Sequence, residues 1–217
     1  PVKKILIKNN KANGVMLEDG TQIFADKVIS NLNPKLLFKK LVHENDVEQE
    51  YRRKILNYKC GSGTFRMNVA LSELPDFNCI PGKEISEHHK SGIVIAPTLT
   101  YMDQAFTDAK QYGWSKNPIV EMLIPSTVDS TLAPEGKHVA SLFCQQFAPT
   151  LPDNKSWHDE KANAANTIIE TVNKFAPNFK ESILGMSILS PLDLEEKLGL
   201  VGGDIMHGVM SLDQMWA

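Results

Sequence analysis

The sequence predicts an α+β protein, with a mixed β-sheet backed by helices and an antiparallel β-meander at the N-terminal end. Two patterns support this class. Short segments alternate apolar and polar residues with the period of a strand, while longer segments place apolar residues at helical spacing. Both patterns are interspersed along the chain without an internal repeat, which favours layers packed around one sheet.

The first thirty or so residues carry the meander pattern. Apolar residues alternate in segments 2–8 and 15–17, and Asp19-Gly20 is a two-residue hairpin signal. Residues 21–29 then return as a third strand. Three antiparallel strands alone are marginally stable in water, so we expect the meander to lie against a larger body.

The rest of the chain alternates helices and strands. After a break at Asn33-Pro34, helical spacing begins at 36–41, and Asn45 or Asp46 can cap a second helix that reaches Asn57. Further strands are predicted at 63–71, 92–97, 119–124 and 138–147. Further helices are predicted at 100–113, 156–176 and 190–199. The last of these starts with a capping-box signal, Ser190 with Asp193, and Gly199 is a natural terminator.

The composition is that of an ordinary globular protein. Of 217 residues, 42% are hydrophobic and 23% are charged. A net charge of -3 gives no electrostatic reason to expect nucleic acid as a partner. No apolar stretch reaches the length of a transmembrane helix.

Three cysteines, Cys60, Cys79 and Cys144, are widely spaced and contain no C-x-x-C pair. This spacing argues against a disulfide framework or a zinc site and favours small, core-filling, reduced thiols. We therefore expect a cytoplasmic protein, with the mitochondrial matrix as an open alternative.

No complete catalytic, nucleotide-binding or metal-binding motif is present. The dinucleotide loop G-x-G-x-x-G, the P-loop, H-E-x-x-H and G-x-S-x-G are all absent. Adjacent His88 and His89 cannot both face one metal from a regular strand or helix, so no metal site is expected. The chain starts at Pro1 and stops after a dense string at 202–217, so we expect an interior piece of a longer protein.

Six long strings occur in the order of one protein family. They are ADKVISNLNP at 25–34, RMNVALSELPDF at 66–77, GIVIAPTLTYMDQAFTDAKQYG at 92–113, TLAPEGKHVASLF at 131–143, FAPNFKESILG at 175–185 and SPLDLEEKLGLVGGDIMHGVMSLDQMW at 190–216. In these strings the chain resembles the phytoene-dehydrogenase-related FAD-dependent oxidoreductases. The resemblance implies FAD as cofactor, bound mainly by an N-terminal half of the parent protein that this chain lacks.

The same resemblance implies a division into three segments, by analogy with amine-oxidase-like and GDP-dissociation-inhibitor-like flavoprotein folds. Residues 1–31 would be the meander of the FAD-binding domain. Residues 32–195 would form the substrate-binding domain, and residues 196–217 would lead back toward the flavin.

The resemblance also implies a flavin-proximal loop. Gly202, Gly203 and Gly208 would let the backbone approach the cofactor closely. His207 is the candidate catalytic residue, which would bond to flavin or substrate or move a proton. The alternative is a structural histidine that holds the loop.

One apolar strand face is the candidate substrate surface. Phe65, Met67 and Val69 share that face of the strand at 63–71. They would line a tunnel for a long hydrophobic substrate or, alternatively, pack in the core.

Together these implications give a functional hypothesis. The chain would be the substrate-binding portion of an FAD-dependent oxidoreductase of dehydrogenase or desaturase type, acting on an apolar or amine-like substrate and inactive by itself. Its partners would be that hydrophobic small molecule and the FAD-binding half of the parent chain, with a homodimer as an open alternative. The alternative function is a non-catalytic lipid-, isoprenoid- or protein-binding module of the GDP-dissociation-inhibitor type.

Overall fold

The computed structural model describes residues 1–61 and 63–215. The strands are β1 (Val2–Lys8), β2 (Lys11–Leu17), β3 (Gln22–Phe24), β4 (Thr64–Leu71), β5 (Ile93–Ile95), β6 (Trp114–Leu123), β7 (His138–Phe147) and β8 (Ile183–Leu189). The helices are α1 (Pro34–Leu36), α2 (Gln49–Leu56), α3 (Leu99–Tyr112), α4 (Trp157–Phe175), α5 (Phe179–Ser182), α6 (Pro191–Leu198) and α7 (Leu212–Met215).

These elements belong to two compact units. The first consists of Pro1–Cys60 and Met206–Ala217, and the second of Gly61–Ile205. These bounds differ from the three segments predicted from the sequence, since α1 and α2 group with the meander. The assignment of segments to flavin and substrate domains stays a prediction.

The first unit contains the predicted meander. Its sheet has the order β1-β2-β3, and both pairings are antiparallel. The third strand covers only Gln22–Phe24 of the predicted 21–29. Helix α1 begins at Asn33, whose side-chain oxygen accepts the Lys35 amide at 2.9 Å, and continues into a π-helical turn at Leu37–Leu41.

The second unit is built on a five-stranded sheet with the order β5-β6-β7-β4-β8. The α+β class is confirmed, but the sheet is antiparallel throughout rather than mixed. The expectation of a mixed sheet came from the interspersed helices. Helix α3, however, connects β5 and β6, which are antiparallel neighbours and not a parallel pair.

The core of the second unit lies between one face of this sheet and α4. Strand β4 is hydrogen-bonded on both sides, with Met67 opposite Leu142 of β7 and Ile188 of β8. Trp157, at the start of α4, packs on Phe65 with ring centroids 5.9 Å apart. The strand alternation thus directs one full set of β4 side chains under the helix.

In this unit one strand was not predicted, and the role predicted for one cysteine is wrong. Strand β8 was not predicted, because its side chains are mostly exposed and Gly185 interrupts its alternation. The core-filling role holds for Cys144, which is 0% exposed, and burial raises the pKa of its thiol. It is wrong for Cys79, which is exposed because it lies in the loop after β4.

The start of α6 is a capping box, as the sequence indicates. Ser190 Oγ accepts the Asp193 amide at 3.1 Å, and Asp193 Oδ2 accepts the Ser190 amide at 3.0 Å. Lys197 and Lys161 form ion pairs with the Asp193 carboxylate at 2.9 and 3.3 Å. Burial opposes ionisation, but hydrogen bonds from Lys197, Ser190 and Lys161 outweigh it and hold the pKa of Asp193 well below its usual range.

Replacing this carboxylate should destabilise the second unit. We expect Asp193→Asn to lower the free energy of unfolding by roughly 1–3 kcal/mol at neutral pH, since it removes charge-assisted hydrogen bonds from a nearly buried group. A depressed pKa gives stability that is present above the unfolded value and lost as pH falls, so the difference between the two proteins should shrink below about pH 4. Urea unfolding at several pH values measures both effects.

The matched control is Asp103→Asn on α3, whose carboxylate is exposed. It should change stability by no more than about 0.5 kcal/mol. An equal loss in both variants would contradict the role given to Asp193.

Candidate functional site

The predicted flavin-proximal residues are divided between the two units. Gly202 and Gly203 lie in the second unit, in a 3-10 turn at Val201–Gly203, whereas His207 and Gly208 lie in the first. Each pair therefore has its own surroundings, set by its own unit.

Gly203 is required by close packing within the second unit. Its φ is 63°, in the left-handed region, and a Cβ at this position would lie 2.4 Å from the carbonyl oxygen of Pro191. Gly202 also has a positive φ, of 66°. The turn is thus pressed against the start of α6, and the space at Gly203 is filled by backbone.

Gly208 is similarly occupied within the first unit. A Cβ there would lie 2.1 Å from the Tyr58 hydroxyl oxygen, so the glycine accommodates the tyrosine ring. Protein atoms thus occupy the direction in which a Cβ would point at Gly203 and at Gly208, which accounts for the absence of a side chain. The approach of these glycines to a flavin stays a prediction.

His207 is held by its backbone in the first unit. Its φ is 61°, and its carbonyl oxygen accepts the Asn33 side-chain amide at 3.4 Å. Asn33 is 1% exposed and also donates to the Cys60 sulfur at 3.3 Å. The Nδ1 atom of His207 is buried and has no hydrogen-bond partner among residues 1–61 and 63–215. The backbone contacts suit the loop-holding alternative, and the catalytic role stays a prediction.

The segment after His207 is bonded to Lys59, which lies just after α2. Lys59 Nζ pairs with the Asp213 carboxylate at 2.7 Å, and the Lys59 carbonyl oxygen accepts the Val209 amide at 2.9 Å. The side-chain amide of Gln214 bonds to both backbone groups of Lys59. These bonds fix the loop that carries His207.

The predicted substrate face lies in the hydrophobic core. Phe65 and Met67 are 0% exposed and Val69 is 2% exposed. All three belong to the main core cluster with residues of α4. This packing is the core alternative stated above, and it disfavours the substrate-lining role, which stays a prediction.

The opposite face of the same sheet is the accessible one. We call it the open face, and it carries Arg66, Asn68 and Ala70 of β4, Ser141, Phe143 and Gln145 of β7, Glu121 and Leu123 of β6, and Val94 of β5. Strand alternation requires that these side chains lie opposite the core set. A binding site on the second unit would therefore be formed by polar and apolar side chains together.

Specific contacts order the side chains of the open face. Arg66 Nη2 donates to Ser141 Oγ at 2.9 Å, and the Arg66 guanidinium carbon is 5.5 Å from the centroid of the Phe143 ring. On the far side of that ring, the Gln145 side-chain amide donates to the Glu121 carboxylate. A cation, an aromatic ring and an anion thus lie side by side on a rigid support.

The open face was not predicted from the sequence, because the candidate substrate residues were chosen for their hydrophobicity. The alternation of the strand by itself puts Arg66, Asn68 and Ala70 on the side opposite to Phe65, but no function is predicted for that side from the sequence. The available signal was an arginine in the middle of an otherwise neutral strand. Its partners Ser141 and Phe143 lie on a strand distant in sequence, so spacing alone could not identify the cluster.

The first unit contains a wide groove of about 760 Å³, which we call the cationic groove. Its lining includes Lys3, Lys4, Lys39, Lys40 and Arg52. All four of these lysines are exposed, and the groove also contains acidic residues. Besides Arg66 on the open face, this groove is a place where a ligand anion could bind, although its lysine side chains are long and flexible.

Three histidines of the second unit lie near one another. His88 and His89 have ring centroids 3.8 Å apart, and His138 Nδ1 lies 3.4 Å from Ser126 Oγ. His89 is fully buried, with its Nε2 3.0 Å from the Pro75 carbonyl oxygen. Loss of hydration, with repulsion from His89, lowers the pKa of His88 and of His138.

The described residues contain neither a metal-ligand cluster nor a membrane-spanning helix. Among residues 1–61 and 63–215, no three histidine, cysteine or acidic side chains are grouped as a metal site. No helix of the described chain combines the length and apolar character needed to cross a bilayer.

The comparisons confirm the resemblance to phytoene-dehydrogenase-related oxidoreductases. The chain is 36% identical over 221 residues to pyridine nucleotide-disulfide oxidoreductase domain-containing protein 2 of Rattus norvegicus, covering 99% of this chain and 38% of that protein. It is 28% identical over 198 residues to prolycopene isomerase 1, chloroplastic, of an Oncidium hybrid cultivar, covering 88% and 30%. No protein-family model matches the chain.

A solved structure supports the fold. An oxidoreductase from Methanosarcina mazei superposes with a TM-score of 0.55 at 20% identity, over 87% of this chain and 36% of that one. At this identity the likeness shows the fold alone. The chain spans 38% of the length of its Rattus norvegicus relative. The activity of a whole protein of that length is therefore given below as a proposal.

Adding a methyl group at Gly203 should destabilise the second unit. Gly203→Ala places a Cβ against the backbone of Pro191 at a positive φ, so we expect a loss of about 2–4 kcal/mol in the free energy of unfolding. Gly185→Ala is the control, because a Cβ at Gly185 meets nothing within 4 Å. Urea unfolding that shows no difference between the two variants would refute this packing.

The histidine cluster should make stability depend on pH. A depressed folded pKa favours protonation of the unfolded chain, so stability is full above about pH 6.5 and declines as pH falls below it. We expect His138→Gln to reduce this decline between about pH 7 and pH 5, as measured by thermal unfolding. A slope that His138→Gln leaves unaltered would contradict the assignment.

Proposed function

We propose that the chain forms the substrate-binding part of an FAD-dependent oxidoreductase of dehydrogenase or desaturase type. The observation that carries this proposal is the 36% identity, across 99% of the chain, to a protein named for its oxidoreductase domain. The similarity to prolycopene isomerases supports an apolar substrate, since their name specifies a polyene hydrocarbon. An amine-like substrate is the second class within the same proposal.

The flavin would be bound mainly by polypeptide outside this chain. The sequence contains no G-x-G-x-x-G loop that could cradle the pyrophosphate of the cofactor. When bound, the flavin would supply the redox chemistry, as cofactors do in this type of enzyme.

The part of this chain would be to bind and orient the substrate. The five-stranded sheet gives a rigid support, and its open face presents Phe143 and Leu123 beside polar groups. A sheet held on one side by α4 can keep such a face in place without loop closure. His207, with its buried and unpartnered Nδ1, is the candidate for a proton-moving or substrate-bonding role in the first unit.

The cofactor proposal is tested by visible absorption. We expect a purified polypeptide of the relatives' length that contains this sequence to be yellow, with a flavin spectrum that is bleached by reductant under anaerobic conditions. This 217-residue chain, expressed alone in the same host, should be colourless and is the matched control.

A longer polypeptide that takes up no flavin, even after refolding with excess FAD, would end the oxidoreductase proposal. That result would favour the alternative, a lipid-, isoprenoid- or protein-binding module without redox turnover. Extraction of the host-purified protein with organic solvent would then show whether a lipid accompanies it.

A further inference from the structure

Arg66 is the charged centre of the open face. It lies on β4, which is hydrogen-bonded to β7 on one side and β8 on the other. Arg66 is partly buried, and its guanidinium donates to Ser141 Oγ at 2.9 Å and lies 5.5 Å from the Phe143 ring centroid. The position of the cation is therefore set by a rigid sheet and two side chains of β7.

This cation has no acidic partner in the part of the chain that the structure describes. Each ion pair found among residues 1–61 and 63–215 involves other basic groups. A guanidinium has five N–H donors in a fixed plane, and Ser141 accepts from one of its nitrogens. The remaining donors of a partly dehydrated arginine are available to an anion, and the planar fork matches a carboxylate.

The surroundings of Arg66 are largely apolar. A shallow cavity of about 150 Å³ joins it to Val94, Leu123 and Phe143. Val94 is 61% exposed and Leu123 is 56% exposed, although both are strand residues beside the cavity. An apolar ligand chain lying over them would remove this area from water, which is favourable in proportion to the area covered.

Glu121 limits the charge of the ligand. It lines the same cavity and already accepts the Gln145 side-chain amide. A doubly charged phosphate next to Arg66 would be repelled by this carboxylate, whereas a single carboxylate on the Arg66 side of Phe143 meets less repulsion.

We propose that the open face binds an amphipathic small molecule, with its carboxylate paired to Arg66 and its apolar chain over Phe143, Leu123 and Val94. The idea rests on the proposed function, because it narrows the substrate class of the substrate-binding unit to an apolar molecule that carries a carboxylate, in place of the amine-like class. Arg66 is thereby a specificity-determining residue. Ser141 and Phe143 are positioning residues that hold its guanidinium.

The experiment is titration of the 217-residue chain with three unbranched probes of equal carbon number that differ in their head group: octanoate, octanol and octylamine. Amide chemical shifts in nuclear magnetic resonance give both the affinity and the location. We expect octanoate to bind about tenfold more tightly than octanol and octylamine, with shifts concentrated on β4, β6 and β7.

Substitutions assign the effect to Arg66. Arg66→Gln should weaken octanoate binding about tenfold while leaving octanol binding within about twofold, because a charged hydrogen bond is lost and the apolar surface is kept. Arg66→Lys should give an intermediate affinity, since the charge remains without the fork. Arg53→Gln, at an exposed arginine of α2, is the matched control and should bind octanoate as the unaltered chain does.

The possible outcomes are distinct. Selective loss of octanoate binding in Arg66→Gln, with unchanged circular dichroism and unfolding midpoint, supports the proposal. Equal binding of the three probes, no binding, or octanoate shifts confined to the cationic groove would each overturn it. If Arg66→Gln unfolds, the affinity of Arg66→Lys for octanoate is the deciding measurement. Full affinity in Arg66→Lys would show that the planar guanidinium fork has no role in binding the carboxylate.

Failure of this proposal can be distinguished from failure of the proposed function. The titration reports a ligand anion on the open face and involves no flavin, whereas the absorption experiment reports the flavin and involves no substrate. If the longer polypeptide is yellow but the 217-residue chain does not bind octanoate, the oxidoreductase proposal is retained and the proposed carboxylate ligand is refuted.

Discussion

The two-residue alternation of β4 is the constraint on which the second unit depends. Phe65, Met67, Val69 and Leu71 are at most 2% exposed, while Asn68 and Ala70 between them are exposed. Pairing with β7 and β8 on both sides fixes this register. A slip by one residue would bury Arg66 under α4 and expose Phe65. The register that forms the core therefore also determines which side chains lie on the open face.

Buried polar groups add specificity to this apolar framework. Asp193 and Asn33 are 5% and 1% exposed, and each forms several hydrogen bonds. A buried polar group costs free energy unless it is bonded, so each of these residues fixes the segments that supply its partners. Asp193 fixes the start of α6, and Asn33 fixes α1 and the loop at His207.

Features encoded within a few residues could be predicted from the sequence. The capping box at Ser190 and Asp193 and the terminator Gly199, which has a φ of 70°, are local, and the structure has both. The β4 alternation is equally local. Strand β8 could not be predicted, because an edge strand with exposed side chains needs no apolar alternation, and it is paired only through β4.

The candidate site was less predictable, because its contacts join distant parts of the chain. Arg66 and Ser141 are 75 residues apart, and neither has a pattern that indicates the other. Gly203 and Gly208 were interpreted as sites of cofactor approach. Their actual neighbours, Pro191 and Tyr58, account for the absence of a side chain through packing alone. A glycine-rich string indicates close approach, but the approaching group can be the protein itself.

The composition of the open face is informative in its own right. A sheet face turned to water normally carries polar residues, and this one combines exposed Val94 and Leu123 with a cation that lacks an acidic partner among the described residues. Neither feature stabilises the folded chain, since apolar area stays in water and a charge is partly dehydrated without an ion pair. Residues that lower stability while lying on the most rigid part of a fold are typical of binding sites, where ligand contact offsets the loss. On this argument the open face is the surface proposed for ligand binding, while the substrate-lining role of the buried face of β4 stays a prediction.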